Sequence, residues 1–107
     1  MINKTYVKIS KNGCAPCNAI NQFLKGSNLN QDNVIKVSTP TLAQSVIKGE
    51  LETGKMYEVL VDEFPEVAGH FELSSVPVIL EVVEGKVVYQ ISGFSPPYLE
   101  EIINNLK

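Results

Sequence analysis

The two cysteines of the chain, Cys14 and Cys17, lie three positions apart in the segment CAPC. The segment follows a predicted strand and begins a predicted helix. A sulfur at a helix N-terminus lies near unpaired amide donors and the positive end of the helix dipole, which favour thiolate over thiol. The thiolate is the nucleophile of thiol–disulfide exchange. We therefore expect Cys14 to be an exposed nucleophile and Cys17 to resolve the mixed disulfide that Cys14 forms.

The elements on either side of the cysteines are those of a strand, a turn and a helix. Thr5–Ser10 alternates and is rich in β-branched residues, which predicts a strand that ends at the Lys11-Asn12-Gly13 turn. Helical spacing of apolar residues follows, at Cys17, Ile20, Phe23 and Leu24. Pro16 suits the first turn of this helix, where its missing N–H costs no hydrogen bond.

The remaining pattern alternates strands with helices and predicts the order β-α-(β-α)-β-α-β-β-α. We expect strands at 33–38, 57–62, 76–83 and 87–92, and helices at 40–48, 65–73 and 96–106. The inner face of the last helix is predicted to carry Leu99, Ile102, Ile103 and Leu106. Strands that alternate with helices imply a mixed central sheet covered on both faces, which is a three-layer α/β/α arrangement.

Two alternatives to a redox pair are a static disulfide and half of a metal site. A static disulfide requires an oxidising compartment, and it would close a loop too short to stabilise the fold much. A structural zinc site needs four ligands, whereas the chain offers two cysteines and a single distant histidine, His70. We expect no metal and no cofactor, and His70 is predicted to be a solvent-facing or capping residue.

Length and composition bound the other possibilities. The 107 residues suit a single domain, residues 1–107, and 44% hydrophobic residues match an ordinary globular core. Residues 1–49 carry six lysines against one aspartate, but there is no arginine and no run of adjacent basic residues, which argues against nucleic-acid binding. The longest apolar stretch, 76–80, is too short to span a membrane, and the first residues lack a secretory pattern. We expect a cytoplasmic monomer.

The chain resembles the thioredoxin superfamily. The resemblance covers roughly residues 5–26 and 57–107, and it is carried by CAPC after a strand, Val61-Asp62-Glu63 before a short helix, and Ser75-Val76-Pro77 opening an apolar strand. It implies a thioredoxin-like fold with an inserted segment around 30–56, and a cis-proline at Pro77 beside the cysteines. It also implies an apolar substrate surface around Cys14, made of Gly13, Ala15, Pro16, Val76, Pro77, Gly93 and Phe94.

Different parts of the sequence resemble two branches of the superfamily, the glutaredoxins and the thioredoxins. Lys11 ahead of the motif is similar to the glutathione-contacting lysine of glutaredoxins, but the Gly-Gly pair usual before their last helix is missing. The Ala-Pro pair between the cysteines and the ending Ile91-Ser92-Gly93-Phe94 look like thioredoxins. Thioredoxin-type reduction of protein disulfides, with a flavoprotein disulfide reductase as electron donor, is therefore the leading hypothesis, and a glutathione-dependent enzyme is the alternative.

Two departures from the thioredoxin pattern affect the mechanism. Gly13 replaces a usual tryptophan, and Lys8 stands about where thioredoxins bury an aspartate that helps the resolving thiol lose its proton. If Lys8 takes the place of that aspartate, Glu63 or water would have to accept the proton. Lys8 and Lys11 either add positive potential near the cysteines or are simply exposed charges. These departures also leave open a third hypothesis, a binding module that uses residues 30–56 and has vestigial redox activity.

Overall fold

The computed structural model describes residues 4–106, which form five strands and four α-helices. In chain order these are β1 Lys4–Ser10, α1 Ala15–Lys25, β2 Val34–Lys36, α2 Pro40–Lys48, β3 Met56–Leu60, α3 Pro65–His70, β4 Val78–Val83, β5 Lys86–Ser92 and α4 Pro96–Asn105. A short 3-10 helix, Gln31–Asn33, precedes β2. The predicted order of strands and helices is confirmed.

The five strands form one mixed sheet in the order β2-β3-β1-β4-β5. β1 pairs parallel with β3, and β3 pairs parallel with β2. On its other side β1 pairs antiparallel with β4, which pairs antiparallel with β5. β1, which leads into the CAPC segment, is therefore the central strand of the sheet.

Hydrophobic residues on each face of the sheet pack against a different pair of helices. On one face, Val7 and Ile9 of β1 pack in a cluster with Val46 of α2 and Val67 of α3. On the opposite face, Tyr6 of β1 packs with residues of α1 and α4, which include Ile20, Leu24, Leu99 and Ile102. Alternate residues of a strand point to opposite faces, so β1 contributes to both clusters. The three-layer α/β/α arrangement predicted from the sequence is thereby confirmed.

The segment around 30–56 supplies an edge of this sheet. Val34–Lys36 pairs with β3 as the outermost strand. Thr39 then caps α2 by accepting a hydrogen bond from the Leu42 N–H at 3.2 Å, and Pro40 occupies the first turn. The segment is thus a β-α unit integrated into the sheet. Among residues 4–106, no helix combines the length and apolar character needed to cross a membrane.

Several element boundaries differ from the predicted ones by a few residues. The strand predicted from residue 76 begins at Val78, directly after Pro77, because proline has no N–H to donate to a ladder. The helix predicted to reach residue 73 ends at His70. His70 itself is exposed, as expected.

Candidate redox site

Cys14 is the N-cap residue of α1. Its backbone is extended, with φ −108° and ψ 114°, while its carbonyl already accepts the Asn18 N–H at 3.0 Å. Ala15 and Pro16 form the first turn, and Cys17 follows on the side of the helix that faces the sheet. The two cysteines therefore lie where the helix N-terminus presents its unpaired amide groups.

Cys14 and Cys17 are joined by a disulfide bond, with their Cα atoms 5.2 Å apart. The Cys17 N–H donates a hydrogen bond to Cys14 Sγ at 3.2 Å, so one backbone amide of the first turn points at the N-terminal sulfur. Such a donor stabilises negative charge on sulfur once the bond is reduced.

The expectation that Cys14 is exposed is wrong for the disulfide-bonded chain. Cys14 is 6% exposed and Cys17 is 1% exposed. The Cys14 sulfur turns back over the first turn, towards the Cys17 amide and sulfur. Cys14 is nevertheless the more accessible of the two cysteines, which agrees with its predicted role as the attacking residue.

Strand register brings the other predicted site segments to the same end of the sheet. Ile9 near the end of β1 lies opposite Val78 at the start of β4, and Val78 lies opposite Ser92 at the end of β5. Cys14 follows β1, Pro77 precedes β4 and Gly93 follows β5. All three segments thus lie at the same end of the sheet, although they are far apart in sequence.

Contacts between these segments link them further. The Gly93 N–H donates to the Pro77 carbonyl at 3.0 Å, and the Val76–Pro77 peptide bond is cis. The Phe94 ring packs edge-on against Phe23 of α1, with 6.0 Å between ring centroids. Phe94 remains 43% exposed, so it lies on the surface beside the cysteine-bearing helix.

The predicted surface residues differ in exposure. Gly13, Ala15 and Pro16 are exposed, whereas Val76 and Gly93 are partly buried. Pro77 is buried. The exposed part of the predicted apolar surface therefore comes mainly from the turn before α1, its first residues and Phe94.

Lys8 is buried, and the alternative that it is an exposed charge is wrong. It is 2% exposed because it points to the face of the sheet that α1 covers, the same face as Tyr6. Its Nζ donates a hydrogen bond to Asn21 Oδ1 of α1 and forms an ion pair of 2.5 Å with Glu58 Oε2. Lys8 and Glu58 are cross-strand partners in the pairing of β1 with β3.

Sequence reasoning missed Glu58 and Asn21 as partners of Lys8. The strand predictions indicated that Lys8 and Glu58 each lie in a strand, but the register that sets them side by side is a property of the folded sheet. By contrast, Glu63, a candidate proton acceptor, is exposed in the turn after β3, where its N–H donates to the Leu60 carbonyl at 3.1 Å. Lys11 is also exposed.

Groups of acidic, histidine and cysteine side chains that could hold a metal ion are absent from the part of the chain that the structure describes. Both sulfurs are used in the disulfide bond. The chemistry that the site itself offers is therefore thiol–disulfide exchange.

Comparison with known proteins finds thioredoxins among the similar sequences. A thioredoxin of Aspergillus fumigatus is 28% identical over 97 residues, which cover 91% of this chain and 72% of that protein. A thioredoxin of Listeria monocytogenes is 41% identical over 54 residues, about half of each chain (50% and 52%). No family model matches the sequence.

Solved thioredoxin structures share the fold. The thioredoxin of Fasciola hepatica superposes with a TM-score of 0.62 at 22% identity, and covers 98% of this chain and 82% of its own. The reduced thioredoxin pre-protein of Schistosoma mansoni gives a TM-score of 0.62 at 19% identity, with 99% and 81% covered.

Fold, cysteine pair and relatives together define a thiol–disulfide oxidoreductase of the thioredoxin type. In sequence and in fold the chain is similar to thioredoxins.

Proposed function

We propose that this chain reduces disulfide bonds in protein partners, with Cys14 as the attacking and Cys17 as the resolving residue. The observation that carries the proposal is the position of the disulfide bond at the N-terminus of α1, with Cys14 more exposed than Cys17. A thiol at this position loses its proton more readily, and only the outer sulfur has to meet a partner.

The proposed reaction begins with the reduced pair. The Cys14 thiolate attacks one sulfur of the partner's disulfide, forms a mixed disulfide and releases the other partner sulfur as a thiolate, which takes up a proton. Cys17 then loses its proton to water, and its thiolate attacks Cys14 Sγ. The bond between Cys14 and the partner breaks, its electron pair leaves with the partner sulfur, and the Cys14–Cys17 disulfide forms. The partner is reduced by two electrons and the chain is oxidised by two.

The proposal includes the source of those electrons and the cellular setting. Thioredoxin relatives support protein disulfides as the substrate class. We propose a flavoprotein disulfide reductase as the donor that returns the pair to the dithiol, and a cytoplasmic location, where thiol pairs are kept reduced.

We also propose that partners dock on the apolar surface around Cys14. Ala15 and Pro16 are exposed between the two cysteines, and Phe94 is exposed against Phe23 of the same helix. The Gly93–Pro77 hydrogen bond links the neighbouring loops. Val76 precedes the first paired residue of β4, which suits it to bind an extended partner segment through its backbone. Small apolar surfaces of this type bind weakly and with little side-chain selection.

The central test is reduction of insulin driven by dithiothreitol, together with covalent trapping. We expect the wild-type chain to accelerate insulin precipitation and Cys17→Ser to accumulate a mixed disulfide with insulin. Cys14→Ser is the matched control, and it should form no adduct. If the wild-type chain gives no acceleration and Cys17→Ser gives no adduct, the proposed function is wrong.

The same preparation separates the two alternatives. Turnover with glutathione and glutathione reductase, in the absence of another dithiol, would indicate the glutathione-dependent enzyme. A biological role that persists in Cys14→Ser/Cys17→Ser would indicate a binding module in place of an enzyme.

The docking surface has its own test. Phe94→Ala is expected to raise the KM for insulin several-fold and to leave the equilibrium with dithiothreitol unchanged. Val88→Ala is the matched control, since Val88 is 55% exposed in the edge strand β5. Equal effects of the two substitutions on KM would contradict a specific role for Phe94.

A further inference from the structure

The ion pair of Lys8 and Glu58 lies under the sheet-facing side of α1, the helix that carries both cysteines. Lys8 Nζ contacts Glu58 Oε2 at 2.5 Å and donates to Asn21 Oδ1. The Lys8 side chain is 2% exposed, whereas that of Glu58 is 34% exposed. The positive end of the pair is therefore buried against α1, and the negative end lies nearer to solvent.

Asn21 connects this ammonium group to the resolving cysteine. Cys17 and Asn21 are four residues apart, so they lie on the same side of α1 with Cβ atoms about 6 Å apart. Cys17 is 1% exposed, so little water separates it from charges beneath the helix. Charges in the protein interior interact more strongly than in water because solvent screens them less.

We propose that Lys8 is a positioning residue that stabilises the thiolate of Cys17 electrostatically, and that Glu58 moderates its effect. The inference rests on the proposed function, in which Cys17 must become a thiolate to resolve the mixed disulfide. An ammonium group cannot accept the Cys17 proton, so the proton passes to water. Lys8, Asn21 and Glu58 line a cavity of about 300 Å³ between α1 and the sheet.

The other charged and titratable groups on this face are engaged elsewhere or exposed. Glu81 of β4 pairs with Lys4 at 3.3 Å and accepts the Tyr98 hydroxyl of α4 at 3.0 Å. Tyr6 Oη accepts a hydrogen bond from Asn105 at 2.8 Å. The charged residues at the cavity rim, in the nearby loops and on α4 are exposed: Lys11, Lys25, Lys36, Asp62, Glu63, Glu100 and Glu101. Lys8 differs from these groups because it is both buried and hydrogen-bonded to a side chain of α1.

Removing the charge of Lys8 and removing the charge of Glu58 should have opposite effects on the titration midpoint of the Cys17 thiol. Lys8→Met keeps the side-chain length and removes the positive charge, so the titration midpoint of the Cys17 thiol should rise by about one pH unit. Glu58→Gln leaves the ammonium group without its counter-charge, so the midpoint should fall. Loss of packing alone has no reason to give shifts of opposite sign.

The rate of the resolving step should follow the midpoint. At neutral pH a rise of one unit lowers the thiolate fraction about tenfold, while each thiolate becomes about threefold more nucleophilic. The mixed disulfide of Lys8→Met should therefore resolve about threefold more slowly than that of the wild type.

The test measures the ¹³Cβ chemical shift of Cys17 against pH in the reduced wild-type chain and in each variant. Lys25→Met is the matched control, because Lys25 lies on the same helix and the same cavity rim but is exposed. We expect an upward shift for Lys8→Met, a downward shift for Glu58→Gln and little change for Lys25→Met.

The proposal is overturned if Lys8→Met and Glu58→Gln shift the midpoint in the same direction, or if Lys8→Met folds and shifts it no more than Lys25→Met. If Lys8→Met does not fold, Glu58→Gln alone decides, and the absence of a downward shift refutes the proposal. These titrations need no substrate, so they are independent of the insulin assay that tests the proposed function.

Discussion

Gly49 and Gly85 bring two backbone segments into direct contact, which makes Gly49→Ala the most informative stability test. Gly49 ends α2 with φ +77°, and Gly85 lies in the β4–β5 turn with φ +78°. A Cβ atom at Gly49 would stand 2.6 Å from the Gly85 carbonyl oxygen and 2.9 Å from its Cα. These neighbours are backbone atoms, so rotation of a side chain cannot relieve the overlap.

The magnitude follows from two separable costs. An alanine at positive φ costs roughly 1–2 kcal/mol, and overpacking against a fixed neighbour adds about 1–3 kcal/mol. Gly49→Ala carries both, so we expect a loss of about 3–4 kcal/mol in the free energy of unfolding. Gly13, with φ +70° and nothing within 4 Å of a built Cβ, isolates the backbone cost, about 1 kcal/mol.

Two further glycines complete the series. Gly85→Ala is intermediate, since its Cβ would lie 3.3 Å from the Gly49 oxygen. Gly69→Ala has neither positive φ nor a close neighbour, and alanine in a helix should stabilise by about 0.4–1 kcal/mol.

The assay is urea unfolding of the oxidised chain followed by far-ultraviolet circular dichroism, because the chain has no tryptophan. The expected order of destabilisation is Gly49→Ala, then Gly85→Ala, then Gly13→Ala, with Gly69→Ala at or above wild type. A Gly49→Ala loss no larger than that of Gly13→Ala would refute the backbone contact as its cause.

Three other predictions concern the stability of the fold. Burial, together with a hydrogen bond to Glu81, raises the pKa of Tyr98 well above its usual value. Above about pH 10 the tyrosine therefore ionises in the unfolded state but not in the folded state, and the free energy of unfolding falls as pH rises. Tyr98→Phe should make that fall smaller in urea titrations between neutral and alkaline pH. Thr39→Ala removes the cap of α2 and should cost about 1 kcal/mol in the same assay, whereas Thr39→Ser should cost little. Leu99→Ala removes a residue of α4 that is 1% exposed and should cost about 3 kcal/mol; a loss below about 1 kcal/mol would contradict its place in the core.

The local signals in the sequence were strong enough to predict the elements around the cysteines. Alternation over 5–10, the turn at Gly13 and helical spacing after Cys14 each reflect short-range geometry, and the structure has β1 and α1 there. The inner face predicted for α4 is likewise buried, since Leu99, Ile102, Ile103 and Leu106 are all 6% exposed or less.

Sequence signals were weaker for features of the structure that depend on tertiary contacts. The strand Val34–Lys36 has three residues, too few for a clear alternation, and it is ordered by pairing with β3. The burial of Cys14 could not be predicted from its place at a helix start, because exposure depends on how the folded chain packs around that residue.

The sequence by itself determined that two sulfurs stand at the start of a helix that follows a strand, because spacing, proline placement and periodicity are local properties. The resemblance implied that Pro77 and Gly93 lie near Cys14, and strand register places them at that end of the sheet. Only the tertiary structure decided that Lys8 is buried against Glu58 and Asn21. Both outcomes depend on strand register and on which face a helix covers, and these are fixed when distant segments pair and bury their apolar surfaces together.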